Sequence, residues 1–166
     1  YKRHHSQMAT KFEKKLSALS AVVPGFECFG EIGVLGDFGH EIEGKLYNID
    51  TLKFVESCIA LEMLGILKYL KQIEKPIICE IGAGWGGFVS HLARHIPSAQ
   101  FIIVDLAPTL LFSATYLSVA FPHKTFGFLG TADFTGEEDF IFALPNIFLS
   151  STQTRLDLTV NMVSFQ

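Results

Sequence analysis

Ile77-Ile78-Cys79-Glu80-Ile81-Gly82-Ala83-Gly84-Trp85-Gly86-Gly87 is the stretch that decides the fold. Its first residues are apolar or sulfur-bearing until Glu80, the pattern of a buried parallel strand. Gly82, Gly84 and Gly86 then break the strand into a turn, and a helix-like segment follows. Further on, Phe101-Ile102-Ile103-Val104 reads as a second buried strand and ends on Asp105. A strand, a glycine turn, a helix and a second strand ending in an acid make the pattern of a nucleotide-cofactor site.

Working outward, residues 10–22 carry Phe12, Leu16, Leu19 and Val23 at helical spacing, closed by Pro24-Gly25. Residues 26–48 are dense in glycine with aromatics interleaved, which predicts a folded loop or short hairpins. Asp50 is placed to cap a long helix over 51–73, whose apolar positions include Leu52, Val55, Ile59, Met63 and Ile66. Pro76 closes the approach to the first strand. After Asp105, Pro108 suits a first helical turn, and Pro122 stops the helix near Phe121. Residues 125–129 predict a third strand, 130–139 an acidic loop or short helix, 140–149 an apolar run broken by Pro145 that suits another strand and turn, and 156–163 the next strand. Strands alternating with helices imply a parallel sheet. The division expected is an N-terminal helical and glycine-rich extension over 1–75 and a cofactor-binding domain over 76–166.

The chain has 166 residues and is 49% apolar, the size of one domain with a substantial core. A net charge of -4 gives no electrostatic case for nucleic acid. The apolar residues 101–121 are interrupted by Asp105 and Pro108, so they do not read as a membrane span, which needs about 20 residues with few or no charges. Cys28, Cys58 and Cys79 lack metal-ligand spacing, and no metal site is expected. Cys58 and Cys79 read as buried thiols in a reducing compartment, which points to a cytoplasmic protein. No signal peptide is legible in the polar residues 1–10. The chain starts on Tyr1 and stops after an apolar strand, so it reads as a piece of a longer protein.

Two cofactor classes fit the glycine turn. Gly82-Ala83-Gly84-Trp85-Gly86-Gly87 satisfies G-x-G-x-x-G, and Asp105 follows about 20 residues on, as in a dinucleotide site. Glu80 in the frame E-x-G-x-G-x-G favours S-adenosylmethionine instead. That molecule has no phosphates, and its ammonium and sulfonium groups favour nearby acids and carbonyls. Asp105 is placed to accept both ribose hydroxyls.

These residues resemble the class I S-adenosylmethionine-dependent methyltransferases, and within them the bacterial putative sugar O-methyltransferases. The resemblance runs over about residues 77–166. It is carried by the glycine turn, by Ile103-Val104-Asp105-Leu106-Ala107-Pro108-Thr109-Leu110, by Tyr116-Leu117-Ser118-Val119-Ala120-Phe121-Pro122, and by Asp157-Leu158-Thr159-Val160-Asn161-Met162-Val163-Ser164-Phe165-Gln166. It implies an α/β, Rossmann-like doubly wound parallel sheet, ending here after the fourth core strand. It implies that Glu80, Gly82, Ala83 and Gly84 line the methionyl moiety, that Asp105 binds the ribose and that Leu106 flanks the adenine. Thr131, Ala132 and Asp133, after the third strand, fall where the family places adenine contacts. Asn161 and Met162 end the fourth strand beside the methyl group. Asn161 stands where metal-dependent relatives are expected to carry an acid.

The activity so implied is methyl transfer to a hydroxyl, with a sugar as the leading acceptor. A small-molecule or saccharide substrate is the expected partner, with room for a homo-oligomer. The alternatives are an NAD(P)-dependent oxidoreductase and a non-catalytic fragment of a methyltransferase. No catalytic base stands out; His40 and Asn161 are the weak candidates, His40 reading mainly as a surface histidine. His91 and His95 share a helix face but lack the glutamate of a zinc motif and read as solvated. Glu137, Glu138 and Asp139 read as a solvated acidic loop, with a cation site as the lesser option. Trp85 reads as packing on a neighbouring helix. The long helix and the loop before it could cover one face of the sheet or form a lid, with Tyr47, Asn48 and Glu56 as substrate contacts.

Overall fold

A computed structural model of the chain describes residues 2–36, 38–151 and 155–162. The chain divides into two compact units at Lys68 and Tyr69. Asp37 in the loop before His40, and residues 163–166 at the end of the resemblance, lie outside the described residues. Among the described residues, no helix is long and apolar enough to cross a membrane.

The first unit begins with helix α1 (Lys2–Val22) and continues into a hairpin of β1 (His40–Ile42) and β2 (Lys45–Tyr47). Glu43 and Gly44 both take positive φ, 51° and 75°, as a two-residue hairpin turn whose twist matches its strands requires. Helix α2 (Ile49–Met63) follows. Leu16, Cys28, Ile42, Tyr47, Leu52, Val55 and Ile59 form the core of this unit. Two expectations need correction. The cap of α2 is Asn48, not Asp50: its Oδ1 accepts the N–H groups of Asp50 at 3.0 Å and Thr51 at 2.9 Å. The helix expected over 51–73 stops at Leu64, because Gly65 turns left-handed at φ 73° and donates its N–H to Glu62 O. A short helix α3 (Ile66–Leu70) then spans the unit boundary.

The second unit is an α/β domain with a five-stranded parallel sheet flanked by helices, a Rossmann-like arrangement. Its elements in order are β3 (Ile77–Ile81), α4 (Gly87–His95), β4 (Gln100–Val104), α5 (Ala107–Ala120), β5 (Phe126–Phe128), β6 (Phe140–Ala143), α6 (Pro145–Ser151) and β7 (Leu158–Val160). The lateral order is β5-β6-β4-β3-β7. The apolar run that starts at Phe140 is thus a full strand beside β4, and Pro145 opens a helix instead of merely breaking the run. The expected third strand is real but lies at the sheet edge. The described sheet therefore has five strands where four core strands were expected.

Period-two alternation splits the sheet's side chains between two faces. Cys79, Ile102, Val104, Ile141 and Ala143 face the side of α6 and pack with Phe148. Ile78, Glu80, Phe101, Ile103, Phe140 and Phe142 take the other face. There Phe140 stacks on Phe101 and Phe126, and meets Phe121 just beyond α5. Cys58 and Cys79 are buried and in no disulfide.

Replacing Asn48 with Ala removes the acceptor of the first-turn amides of α2 and is expected to destabilise the protein by about 1 kcal/mol. Asn48→Asp retains the acceptor but loses the amide's donation to Glu31 Oε2 and Phe38 O, each at 3.2 Å, and sets a carboxylate beside Glu31, so it is expected not to restore wild-type stability. Denaturant unfolding of both variants checks the assignment.

Candidate functional site at the glycine turn

The chain runs from β3 to β4, β5 and β6 on one side, then returns to place β7 on the other side of β3. The sheet therefore reverses direction between β3 and β7, and in open α/β sheets ligands bind beyond the carboxyl ends of the strands at such a point. The segments that gather at that end of this sheet are Gly82 to Gly86, Asp105 and Leu106, Leu144 to Asn146, and Asn161 and Met162. The first, second and last of these contain expected site residues.

Gly82, Gly84 and Gly86 all take positive φ, 73°, 59° and 88°. A side chain at any of them costs roughly 1–2 kcal/mol in backbone strain. At Gly86 a Cβ would also come within 3.2 Å of Leu117. At Gly84 it would meet nothing within 4 Å, so the turn's bare backbone there borders open space.

The turn is fastened from two strands. Asp105, at the end of β4, accepts the Gly84 N–H at 2.9 Å on Oδ2 and the Leu106 N–H at 2.7 Å on Oδ1. Asn161, just past β7, donates its side-chain N–H to Ile81 O at 2.8 Å. Gly82 N–H reaches Val104 O at 2.7 Å. Glu80 is 2% exposed, and its Oε2 is buried without a hydrogen-bond partner. Burial raises the Glu80 pKa, the backbone N–H of Val89 in the first turn of α4 opposes that, and the nearby Asp105 adds to it; the result is about 8. At neutral pH Glu80 is a neutral acid.

The other expected residues are placed as follows. Leu106 is 66% exposed beside Asp105. Thr131, Ala132 and Asp133 are exposed and follow β5, the outer strand, with the Thr131 hydroxyl donating to Phe128 O. The strand beside β4 is β6, and its end leads into Leu144, Pro145 and Asn146, which were not among the expected site residues, although the strand itself was legible in the continuous apolar run Phe140-Ile141-Phe142-Ala143. Asn161 cannot take a proton from a hydroxyl, because its amide does not titrate in water's range. His40 belongs to the first unit, where its ring sits edge-on to Phe12 at 5.0 Å. In that unit Tyr47 is 2% exposed with its hydroxyl on Cys28 O, Asn48 is a helix cap, and Glu56 pairs with Lys15 at 2.8 Å.

Two further expectations are overturned. His91 and His95 are not solvated: His91 is 2% exposed and His95 half-buried. Burial, then the neighbouring positive groups, lowers their pKa values to about 2 and about 4, so both are neutral at physiological pH. The acidic run is not a solvated loop. Glu138 is buried and accepts the Thr135 and Gly136 N–H groups, Asp139 holds Lys124 and Thr125, and only Glu137 projects outward, toward Lys75. No group of three or more His, Cys, Asp or Glu arranged for a metal occurs among the described residues. Trp85 packs edge-on against Tyr116 of α5, with ring centroids 4.7 Å apart.

Glu80 gives a signed pH dependence. Between its ordinary pKa of 4.5 and its folded value of about 8, the folded protein keeps a proton that the unfolded chain has lost. Its contribution to stability therefore falls as pH rises through that window, by about 1.4 kcal/mol per unit at most. The neutral histidines act on the other side, costing stability as pH falls below 6.5. Stability from pH 6.5 to 8 is expected to decline in wild type relative to Glu80→Gln, and paired denaturation series across that range check it. Compared with known proteins, the chain matches no family model, no curated protein and no solved structure.

Proposed function

We propose that this protein is an S-adenosylmethionine-dependent O-methyltransferase, with a sugar hydroxyl as its acceptor. The observation that carries the reading is the charge of the strand ends. Asp105 holds the Gly84 amide at 2.9 Å, and no lysine or arginine stands among residues 80–89, 105–108, 143–146 or 161–162. A dinucleotide's pyrophosphate rests on the amides of such a turn and of the helix that follows, and here the Gly84 amide is already held by Asp105. S-adenosylmethionine brings a net positive charge to a site whose fixed charge is negative. The open space at Gly84 lets such a ligand lie against bare backbone.

In this reading Gly82, Ala83 and Gly84 face the methionyl portion and Asp105 accepts the ribose hydroxyls. Each Asp105 oxygen already takes one backbone N–H, and a carboxylate oxygen has capacity for a second donor. The exposed Leu106 side chain flanks the adenine, and Leu144 and Asn146, which follow the strand beside β4, are assigned the remaining adenine contacts in place of Thr131, Ala132 and Asp133. Asn161 and Met162 border the methyl-transfer end. Bound S-adenosylmethionine supplies an electrophilic methyl group on a sulfonium. The protein's task is then to hold the acceptor oxygen in line behind that carbon and to keep water out. Neutral His91 and His95 belong to the buried face of α4 and its C-terminal end and do not serve as the base.

Asp105→Ala is expected to weaken S-adenosylhomocysteine binding by about 10- to 100-fold, since a hydrogen bond to a charged group contributes roughly 1.5–3 kcal/mol. Calorimetry on wild type and variant checks this, with circular dichroism confirming that the fold is retained. Equal affinity in a folded variant removes Asp105 from the ribose, and absence of binding by wild type removes the methyltransferase reading.

A further inference from the structure

We infer that this protein pairs with a second copy of itself through the outer face of α5, in an antiparallel contact centred on Thr115. The inference does not rest on the function proposed above.

Residues 106–122, which include the whole of α5, hold no Lys, Arg, His, Asp or Glu. A helix without a charged side is normally buried all round. The inner face of α5 is buried, through Leu110, Ser113, Tyr116 and Leu117. There Trp85 packs on Tyr116, and a Cβ at Gly86 would lie 3.2 Å from Leu117 and 3.4 Å from Ser113. The outer face is open. Leu111, Phe112 and Val119 are 67%, 68% and 44% exposed, and Thr115 and Ser118 between them are exposed too. These five residues recur at three- and four-residue steps, so they form one stripe along the helix.

The chemistry of the stripe selects its occupant. Both of its hydroxyls are satisfied within the helix: Thr115 donates to Leu111 O at 2.7 Å, and Ser118 donates to Thr115 O at 3.0 Å. Covering them therefore leaves no donor unpaired. A charged partner finds no counter-charge here. Helices that lie on a membrane carry Lys and Arg beside the apolar face, and α5 has neither. What the stripe does match is itself. A copy related by a two-fold axis through Thr115 sets each Phe112 over the partner's small Ser118 and each Leu111 against the partner's Val119. At two-thirds exposure a large side chain offers on the order of 100 Å². The stripe then presents about 450 Å² per copy, and two copies bury about 900 Å², close to where specific interfaces begin. A face of that size suits a reversible dimer.

Analytical ultracentrifugation of wild type, Phe112→Glu and Thr115→Cys tests the inference. Wild type is expected to pass from monomer to dimer with a Kd of roughly 1–100 µM. Phe112→Glu is expected to weaken the dimer by about 10-fold or more, with circular dichroism confirming the fold. Thr115→Cys is expected to give a disulfide-linked dimer under mild oxidation, since the axis brings the two copies of this position together. Cys28, Cys58 and Cys79 are buried and do not compete. Wild type that remains monomeric at about 300 µM overturns the inference. Co-sedimentation of that monomer with phosphatidylcholine vesicles would give the face to lipid, and its absence would give it to a different protein. A dimer that persists in folded Phe112→Glu, or one that Thr115→Cys does not cross-link, overturns the inference as well. If Phe112→Glu does not fold, the cross-link decides.

Discussion

The hydrogen bond from the Gly84 N–H to the Asp105 carboxylate ties the glycine turn to the end of the neighbouring strand. The remaining geometry of the site follows from it. Three glycines in the left-handed region would otherwise be the most entropically costly part of the unit to order. The 2.9 Å bond and the Asn161 bond to Ile81 O bring β4 and β7 to bear on the turn that leaves β3. The turn is therefore shaped before any ligand arrives, and pre-organisation of this kind lowers the ordering cost of binding.

Charge at the turn is distributed unequally between two acids. Asp105 is half-buried and accepts two backbone N–H groups, one on each oxygen. Glu80 is buried near the end of β3 beside Asp105, and burial above all raises its pKa to about 8. On the same helix, His91 and His95 are held neutral by burial beside Arg94, so α4 contributes a hydrogen-bonding framework and not a titrating pair.

Much of this was legible in the sequence, and the failures have physical causes. Ile77 to Gly87 and Phe101 to Asp105 read correctly because continuous apolar runs ending in glycine or an acid leave little choice of element. The lateral order of strands did not, because pairing is set by contacts far apart in sequence: nothing local says that Phe140 sits between Phe101 and Phe126. Asp50 was taken for a cap that Asn48 supplies, a difference of two residues between equally suitable side chains. Gly65 was passed over because the apolar spacing continues through it. Asn161 holds backbone, the Ile81 carbonyl at 2.8 Å, which spacing alone cannot distinguish from holding a ligand.

The central claim is that a negatively charged, pre-shaped glycine turn selects an adenosyl ligand with a positive head group over a dinucleotide. Calorimetric titration of the wild-type protein with S-adenosylmethionine and, separately, with NADH tests it most directly. Saturable binding of S-adenosylmethionine with NADH at least about 10-fold weaker is the predicted result. Preferential binding of NADH would contradict the account.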